Sequence, residues 1–411
     1  RVRLRFTSEW PLELPEVQIR GQLAFALVAR NRSPPKVFWD TFKASCEVSD
    51  SSEMLKELLV QLRRFLLEPA AYLGLPEEPG EASGASMEAR RLSSWVQDAA
   101  RVNAKRLDVI RAYRAQVLHP ELFDPLQPLK EEWLHPSARA CIEAMREGDL
   151  AAARAILSEH AAGEVFSFPL FTDDFCDKLL EEVFNFYKSG LPARRPNSMN
   201  NYGIILSDIG LEPFIDKLQE FLQPLGQGLF QAPGSLWDSH HCFIVRYREG
   251  EDLGLDMHTD DSDVTFNICL GLDFTGAGLQ FCGAVGAPEH RKHHFTYQHQ
   301  KGHCVVHLGR KRHGADDITS GERLNLILWN HSSAYRQSRD YRNPPYAKEA
   351  EAPDPICLSY THDRDFGAFK DYPSGREHFR GRGWCPPPAA EYPNFKQEFR
   401  FRSTGAGNSK L

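Results

Sequence analysis

The segment Leu255-Asp-Met-His-Thr-Asp-Asp-Ser-Asp-Val-Thr-Phe-Asn-Ile-Cys-Leu270 sets one histidine among four aspartates immediately before an alternating apolar run. In a strand, side chains at i and i+2 share a face about 6.6 Å apart along the axis, so His258 and Asp260 converge on one ion where the strand end curves. Thr259 then points away. Asp256 is the nearest rival carboxylate on that face, but only Asp260 keeps the H-x-D order. The competing reading is a solvated acidic turn, and a third ligand from elsewhere in the chain decides between the two.

The alternation downstream supplies a frame for such a ligand. Val264, Phe266, Ile268 and Leu270 fall on one strand face and Thr265, Asn267 and Cys269 on the other. Arg323-Leu-Asn-Leu-Ile-Leu-Trp329 repeats the split, with Leu324, Leu326 and Leu328 opposite Arg323 and Asn325. Short alternating strands with Gly-rich turns predict a sandwich or barrel, here with apolar faces outward and polar faces lining a wet interior. An arginine pointing into such a cavity is costly unless an anion meets it, so Arg323 implies a carboxylate or phosphate ligand. Among the sixteen histidines, His313 lies between the strand-like Cys304-Val-Val-His-Leu308 and the Arg323 strand. His307 competes with it and reads as structural. Two histidines and one carboxylate would leave open positions on iron(II).

Size and composition bound the rest. With 411 residues, 41% of them apolar and 26% charged, the chain is long enough for two or more cores. A net charge of -7 argues against a dedicated nucleic-acid binder, and Gly309-Arg-Lys-Arg312 reads as a solvated turn. No apolar run nears the roughly 18 residues of a membrane span. Nine cysteines without a C-x-x-C pair read as reduced thiols of a cytoplasmic or nuclear protein. The start at Arg1, without methionine, keeps the endoplasmic reticulum open as an alternative.

Along the chain, Val2–Phe6 and Val17–Ile19 read as strands around the proline-punctuated Trp10–Pro15, followed by a helix with Leu55, Leu58, Leu59, Leu62 and Leu66 at helical spacing. Gly74–Gly84 is a loop or linker. Asp149 caps a helix through Leu157, Phe166, Phe168 and Leu170 alternate as a strand, and Thr172 caps a helix carrying Phe175, Leu179 and Val183. Arg194 and Arg195 with Asn197–Gly203 line a substrate entrance or form a loop and first barrel strand. Glu289–His299 reads as a solvated hairpin loop and not a second metal tract. The expected α+β multidomain organisation is an N-terminal α+β domain over 1–90, a helical connector over 91–164, a catalytic domain over 165–332 and a loop-rich tail over 333–411.

Two blocks carry a family resemblance. "CFIVRYREGEDLGLDMHTDDSDVTFNICLGLDFTGAGLQF" followed by "KGHCVVHLGRKRHGADDITSGERLNLILWN" resembles the iron(II)- and 2-oxoglutarate-dependent dioxygenases, particularly the lysyl and prolyl hydroxylase branch. With "RPNSMNNYGIILSDIGLEPF" added, the chain is similar to the 2-oxoglutarate and iron-dependent oxygenase domain-containing protein 2 family. The resemblance implies a double-stranded β-helix, a jelly-roll variant, with His258, Asp260 and His313 as iron ligands. It makes Arg323 the partner of the distal carboxylate of 2-oxoglutarate, sets Tyr247 near that cosubstrate, and turns Asn267 into the pocket. It implies iron(II), 2-oxoglutarate and O2, with ascorbate as an auxiliary, and hydroxylation of a lysyl or prolyl side chain of a protein or peptide substrate. The rivals are a non-catalytic partner-binding scaffold and an oxygenase acting on nucleic acid or a small molecule. The first seventy residues loosely resemble the ubiquitin-conjugating-enzyme-like fold; lacking a His-Pro-Asn tripeptide, and with Cys46 out of context, that domain would be inactive and bind a protein partner.

Overall fold

A computed structural model of the chain describes residues 2–5, 16–19, 58, 60, 61, 102, 104–230, 232–284 and 293–342. The chain divides into two compact units, 1–112 and 113–411. In the first, β1 (Val2–Arg5) and β2 (Glu16–Ile19) pair antiparallel, with Val2 opposite Ile19 and Arg5 opposite Glu16. Both expected strands are therefore present. The leucine-spaced helix over 55–66, Cys46 and the linker over 74–84 lie outside the described residues or reach them only at isolated positions.

The second unit is built on two antiparallel sheets. The larger contains β3 (Ser158–Ala161), β4 (Val165–Pro169), β5 (Gly203–Ile205), β6 (Ser239–Arg248), β8 (Val264–Gly271), β12 (His303–Leu308) and β14 (Ile318–His331), in the order β3-β4-β12-β8-β14-β6-β5. A short strand, β9 (Phe274–Gly276), pairs with the start of β14. The smaller sheet runs β11-β10-β13-β7, from β11 (His293–Tyr297), β10 (Leu279–Ala284), β13 (Lys311–Ala315) and β7 (Leu255–His258).

All eight residues of β8 are buried, because the large sheet is covered on both faces. Its apolar face is not presented to water but lies under helices. Phe266 meets Trp237 edge to face, and helix α3 (Asp173–Lys188) packs on β8. Helix α1 (Pro136–Glu147) packs on β4 and on α4 (Glu212–Leu229), with α2 (Leu150–Ile156) beside it. The other face meets the small sheet across a core containing Phe243, Val245, Tyr247, Ala277, Ala315, Ile327 and Trp329. The interior is thus polar only in part.

The caps follow the sequence. The Thr172 hydroxyl accepts from the Phe175 N–H at the start of α3, and Asp149 accepts from Ala152 at the start of α2. On α3, Phe175, Cys176, Leu179, Leu180 and Val183 are buried as their spacing predicts. Glu182 is buried with them: one carboxylate oxygen accepts from the Leu118 and His119 N–H groups at 3.0 and 2.7 Å, and the other from the Tyr113 hydroxyl.

Three further sequence readings change. Lys311 and Arg312 are buried on β13 instead of forming a solvated turn; Lys311 Nζ reaches Glu164 Oε2 at 2.6 Å, and only Arg310 of the basic run is exposed. The histidine-rich tract contributes β11 to the small sheet instead of being wholly a loop, because Phe281 and Phe295 stack across the β10–β11 pairing. The first ten residues of the tail form short helices, α5 (Ser333–Gln337) and α6 (Arg339–Arg342), with Ser332 capping α5; residues beyond 342 lie outside those described. Among the described residues, no helix is long and apolar enough to cross a membrane.

Candidate metal centre

Strand register brings the two candidate histidines together from positions 55 residues apart. In the antiparallel β7–β13 pair, His313 sits directly opposite His258. Opposed side chains in such a pair stand close, and the two rings have centroids 4.4 Å apart. Asp260 follows the end of β7. Its backbone N–H donates to the Gly309 carbonyl at 3.0 Å, and the Gly309 N–H donates to the Asp263 carbonyl at 3.2 Å. This docking requires glycine, since a Cβ at 309 would stand 2.0 Å from the Ser262 carbonyl oxygen.

Asp260 thereby faces both rings, with Oδ1 3.4 Å from His258 Nε2 and Oδ2 3.5 Å from His313 Nε2. One ligand atom from each residue lies within 4.8 Å of the others. Cis donors on a metal at roughly 2.1 Å stand about 3 Å apart, so a small inward movement of the three closes them on one ion. The His313 Nδ1–H donates to the Lys311 carbonyl at 3.0 Å; because a carbonyl only accepts, the lone pair of this imidazole lies on Nε2, toward Asp260. Thr265 donates to Asp260 Oδ2 at 2.6 Å and meets Ser262 at 2.6 Å.

Electrostatics prepare the set for a cation. Burial alone would push the Asp260 carboxyl up, but the His313 and His258 imidazoles outweigh it and hold it well below the usual range. Burial takes His313 down to about 3, against the opposing pull of Asp260. At neutral pH the site offers an anionic carboxylate and a neutral imidazole, the states that bind metal.

Arg323 lies in the same cavity. It stands opposite Tyr247 in the β6–β14 pair, 1% exposed, with its guanidinium carbon 4.7 Å from the Tyr247 ring centroid and 6.0 Å from that of Phe274. One Nη donates to the Ala277 carbonyl, while Nε has no partner. Among the described residues, no carboxylate reaches salt-bridge distance of this guanidinium. Burial lowers its pKa, yet an arginine stays charged. Tyr247 accepts from the Asn200 amide at 3.0 Å. Asn267 accepts from Asn325 at 2.6 Å, and Asn325 also lies 3.4 Å from the His299 ring.

Every residue singled out from the sequence as a ligand or cosubstrate contact, namely His258, Asp260, His313, Arg323, Tyr247 and Asn267, lines one cavity of about 430 Å³, part of it open to solvent. Asn197, Met199 and Asn200 line it too. Arg194 instead binds Asp208 at 2.6 and 2.8 Å, and Arg195 bonds to the backbone at Asn197 and Ser198. His307 is buried, its ring 4.6 Å from that of His313, and it is not one of the three converging ligands. The Asp256 side chain lies outside the described residues. Thr265, Asn325 and His299 were not singled out as site groups: alternation put Thr265 and Asn325 on the inner face, but their partners depend on a turn and on a neighbouring strand. His299 carried no comparable signal.

The OGFOD2-like domain model matches residues 109–235. The 2-oxoglutarate and iron-dependent oxygenase domain-containing protein 2 of Danio rerio is 36% identical over 241 residues, covering 57% of this chain and 70% of that protein. The similarly named protein ICU11 of Arabidopsis thaliana is 41% identical over 189 residues, 43% of this chain and 48% of its own length, so the match spans about half of that relative. The multifunctional procollagen lysine hydroxylase and glycosyltransferase LH3 of Homo sapiens is 26% identical over 241 residues, 54% of this chain and 30% of that protein. The chain belongs to the 2-oxoglutarate and iron-dependent oxygenase domain-containing protein 2 family.

Proposed function

We propose that the protein is an iron(II)- and 2-oxoglutarate-dependent dioxygenase that hydroxylates a lysyl or prolyl side chain of a polypeptide, and that its two facing sheets form a double-stranded β-helix. The observation that carries this reading is the convergence of His258, Asp260 and His313 in one cavity with a buried Arg323 that meets no carboxylate among the described residues. The donor set fits iron(II): two imidazoles and one carboxylate leave coordination positions for a bidentate cosubstrate and a gas. Iron bound there, with 2-oxoglutarate and O2, supplies the oxidising power for C–H hydroxylation, yielding succinate and CO2.

The chain's own residues position and insulate that chemistry. Lys311 fixes the His313 tautomer through its carbonyl, and Thr265 with the Gly309 backbone holds the Asp260 carboxylate. Arg323 takes the far carboxylate of 2-oxoglutarate, its charge answering the need that burial creates. Tyr247 covers one face of the guanidinium, and Phe243, Val245, Ile327 and Trp329 wall the cavity against water. Asn267 and Tyr247 add polar contacts to the cosubstrate.

The polypeptide substrate is supported by the likeness to LH3, whose name specifies procollagen lysine. We assign partner recognition to the N-terminal region and the activity to the cytoplasm or nucleus. The experiment is a turnover assay with iron(II), 2-oxoglutarate, ascorbate and a peptide pool: succinate forms, and peptides gain one oxygen. No consumption of 2-oxoglutarate by protein shown to bind the metal would reject the proposal.

A further inference from the structure

A second constellation lies behind the cavity wall, between β6 and α4. His240 and Cys242 share the face of β6 that meets the helix, while Phe243, Val245 and Tyr247 line the metal cavity. From α4, three residues apart and so on one side, come Asp216 and Gln219. His240 Nε2 lies 3.0 Å from Asp216 Oδ1, and its Nδ1 lies 3.4 Å from Cys242 Sγ. A carboxylate only accepts, so Asp216 fixes the Nε2–H tautomer and turns the Nδ1 lone pair to the thiol. The Gln219 amide N–H donates to the same sulfur at 3.5 Å. A base oriented by a carboxylate and set against a thiol is the arrangement that activates a sulfur nucleophile.

Two further features point to a reaction at this sulfur. Gln219 is 5% exposed, and the Oε1 of the amide that touches the sulfur has no partner, so a buried acceptor stands beside it without a donor. The contrast with other thiols is also sharp. Cys141 and Cys304 donate to the Ala153 and Val305 carbonyls, which keep sulfur protonated, whereas Cys242, itself buried, faces a ring nitrogen and an amide N–H.

We propose that Cys242 is a redox modification site, at which a hydroperoxide converts the thiol to a sulfenic acid with His240 as the proton carrier. His240 takes the thiol proton, and the thiolate attacks one peroxide oxygen. The S–O bond forms as the O–O bond breaks, and the departing oxygen leaves as water or an alcohol after taking the proton back from His240. Sulfur is oxidised by two electrons and the peroxide reduced by two. The new S–O–H supplies the donor that Gln219 Oε1 lacks. Burial alone would push the His240 imidazole down, but the Cys242 sulfur and the Asp216 carboxylate outweigh it and raise it to about 10, so the ring holds the proton once the sulfur has released it.

The test treats the full chain with substoichiometric hydrogen peroxide, with a chelator present so that bound iron generates no oxidant of its own. A sulfenic-acid-selective dione and peptide mass spectrometry then quantify each cysteine. Cys242 should be labelled roughly tenfold faster than Cys141, Cys176, Cys269 or Cys304. His240→Gln and the near-isosteric Asp216→Asn should each slow it by roughly tenfold. Labelling of Cys242 no faster than those four thiols in the parent protein would overturn the proposal, as would an unchanged rate in a folded His240→Gln variant. Should both variants misfold, the comparison among parent cysteines still decides.

Discussion

Replacing Arg323 with methionine separates the anion site from the fold, because its effects on ligand affinity and on ligand-free stability differ. Hydrogen bonds to charged groups contribute about 1.5–3 kcal/mol each. A two-bond grip on the distal carboxylate is then worth about 3–6 kcal/mol, and at roughly 1.4 kcal/mol per decade Arg323→Met should weaken 2-oxoglutarate binding about a hundred- to ten-thousandfold. Without ligand the balance reverses. The guanidinium is 1% exposed, its Nε is unpaired and no described carboxylate answers it, so methionine removes an uncompensated buried charge. Loss of the Ala277 hydrogen bond and of stacking on Tyr247 costs about 1–3 kcal/mol, which relief of desolvation offsets. The ligand-free variant should therefore unfold within about 1 kcal/mol of the parent. Thermal and urea unfolding with manganese(II), with and without 2-oxoglutarate, reads both quantities. A parent saturated at a hundred times Kd gains about 2.7 kcal/mol, and at the same concentration the variant gains no more than about 0.4 kcal/mol. Unchanged 2-oxoglutarate affinity, or a loss of several kcal/mol in the ligand-free state, would refute the reasoning.

Thr265→Val removes the hydroxyl that holds Asp260 Oδ2 and should lower metal affinity about 10- to 100-fold in a manganese(II) titration, whereas affinity within twofold of the parent would show the hydroxyl to be dispensable. Glu182→Ala strips the acceptor from the Leu118 and His119 amides and from Tyr113; urea unfolding should show a loss of about 2–4 kcal/mol with 2-oxoglutarate affinity unchanged. His299 is held well below the ordinary histidine range by burial and by the Arg323 cation, so the unfolded chain binds the extra proton. Its contribution to stability is complete above about pH 6.5 and is lost as pH falls toward its depressed folded value. His299→Gln should flatten that part of the stability–pH curve, and an unchanged slope would exclude this residue as the cause.

The site was legible where local periodicity sufficed. His258 and Asp260 follow from the i, i+2 rule, and the alternation through Arg323 and Asn267 placed both on the cavity face. The opposition of His313 to His258 depends on the β7–β13 register, which local spacing does not specify; the family resemblance carried that assignment. Hidden layers account for the misreadings. Lys311 and Arg312 look solvated in a run of four, but their strand belongs to the small sheet, and Lys311 reaches Glu164 across 147 positions of chain. The apolar face of β8 read as outward because the helices that cover it are remote in sequence. Glu182 was lost inside an apolar helical stripe, since its partners at 113, 118 and 119 lie some sixty to seventy residues away.

The central claim is that His258, Asp260 and His313 hold an iron that couples O2 to the decarboxylation of 2-oxoglutarate. Turnover under 18O2 in water of natural abundance tests it directly, with succinate examined by mass spectrometry. Succinate from the parent protein should carry one 18O atom, and His313→Ala should yield none above background. Unlabelled succinate, or equal labelled succinate from the variant, would contradict the account.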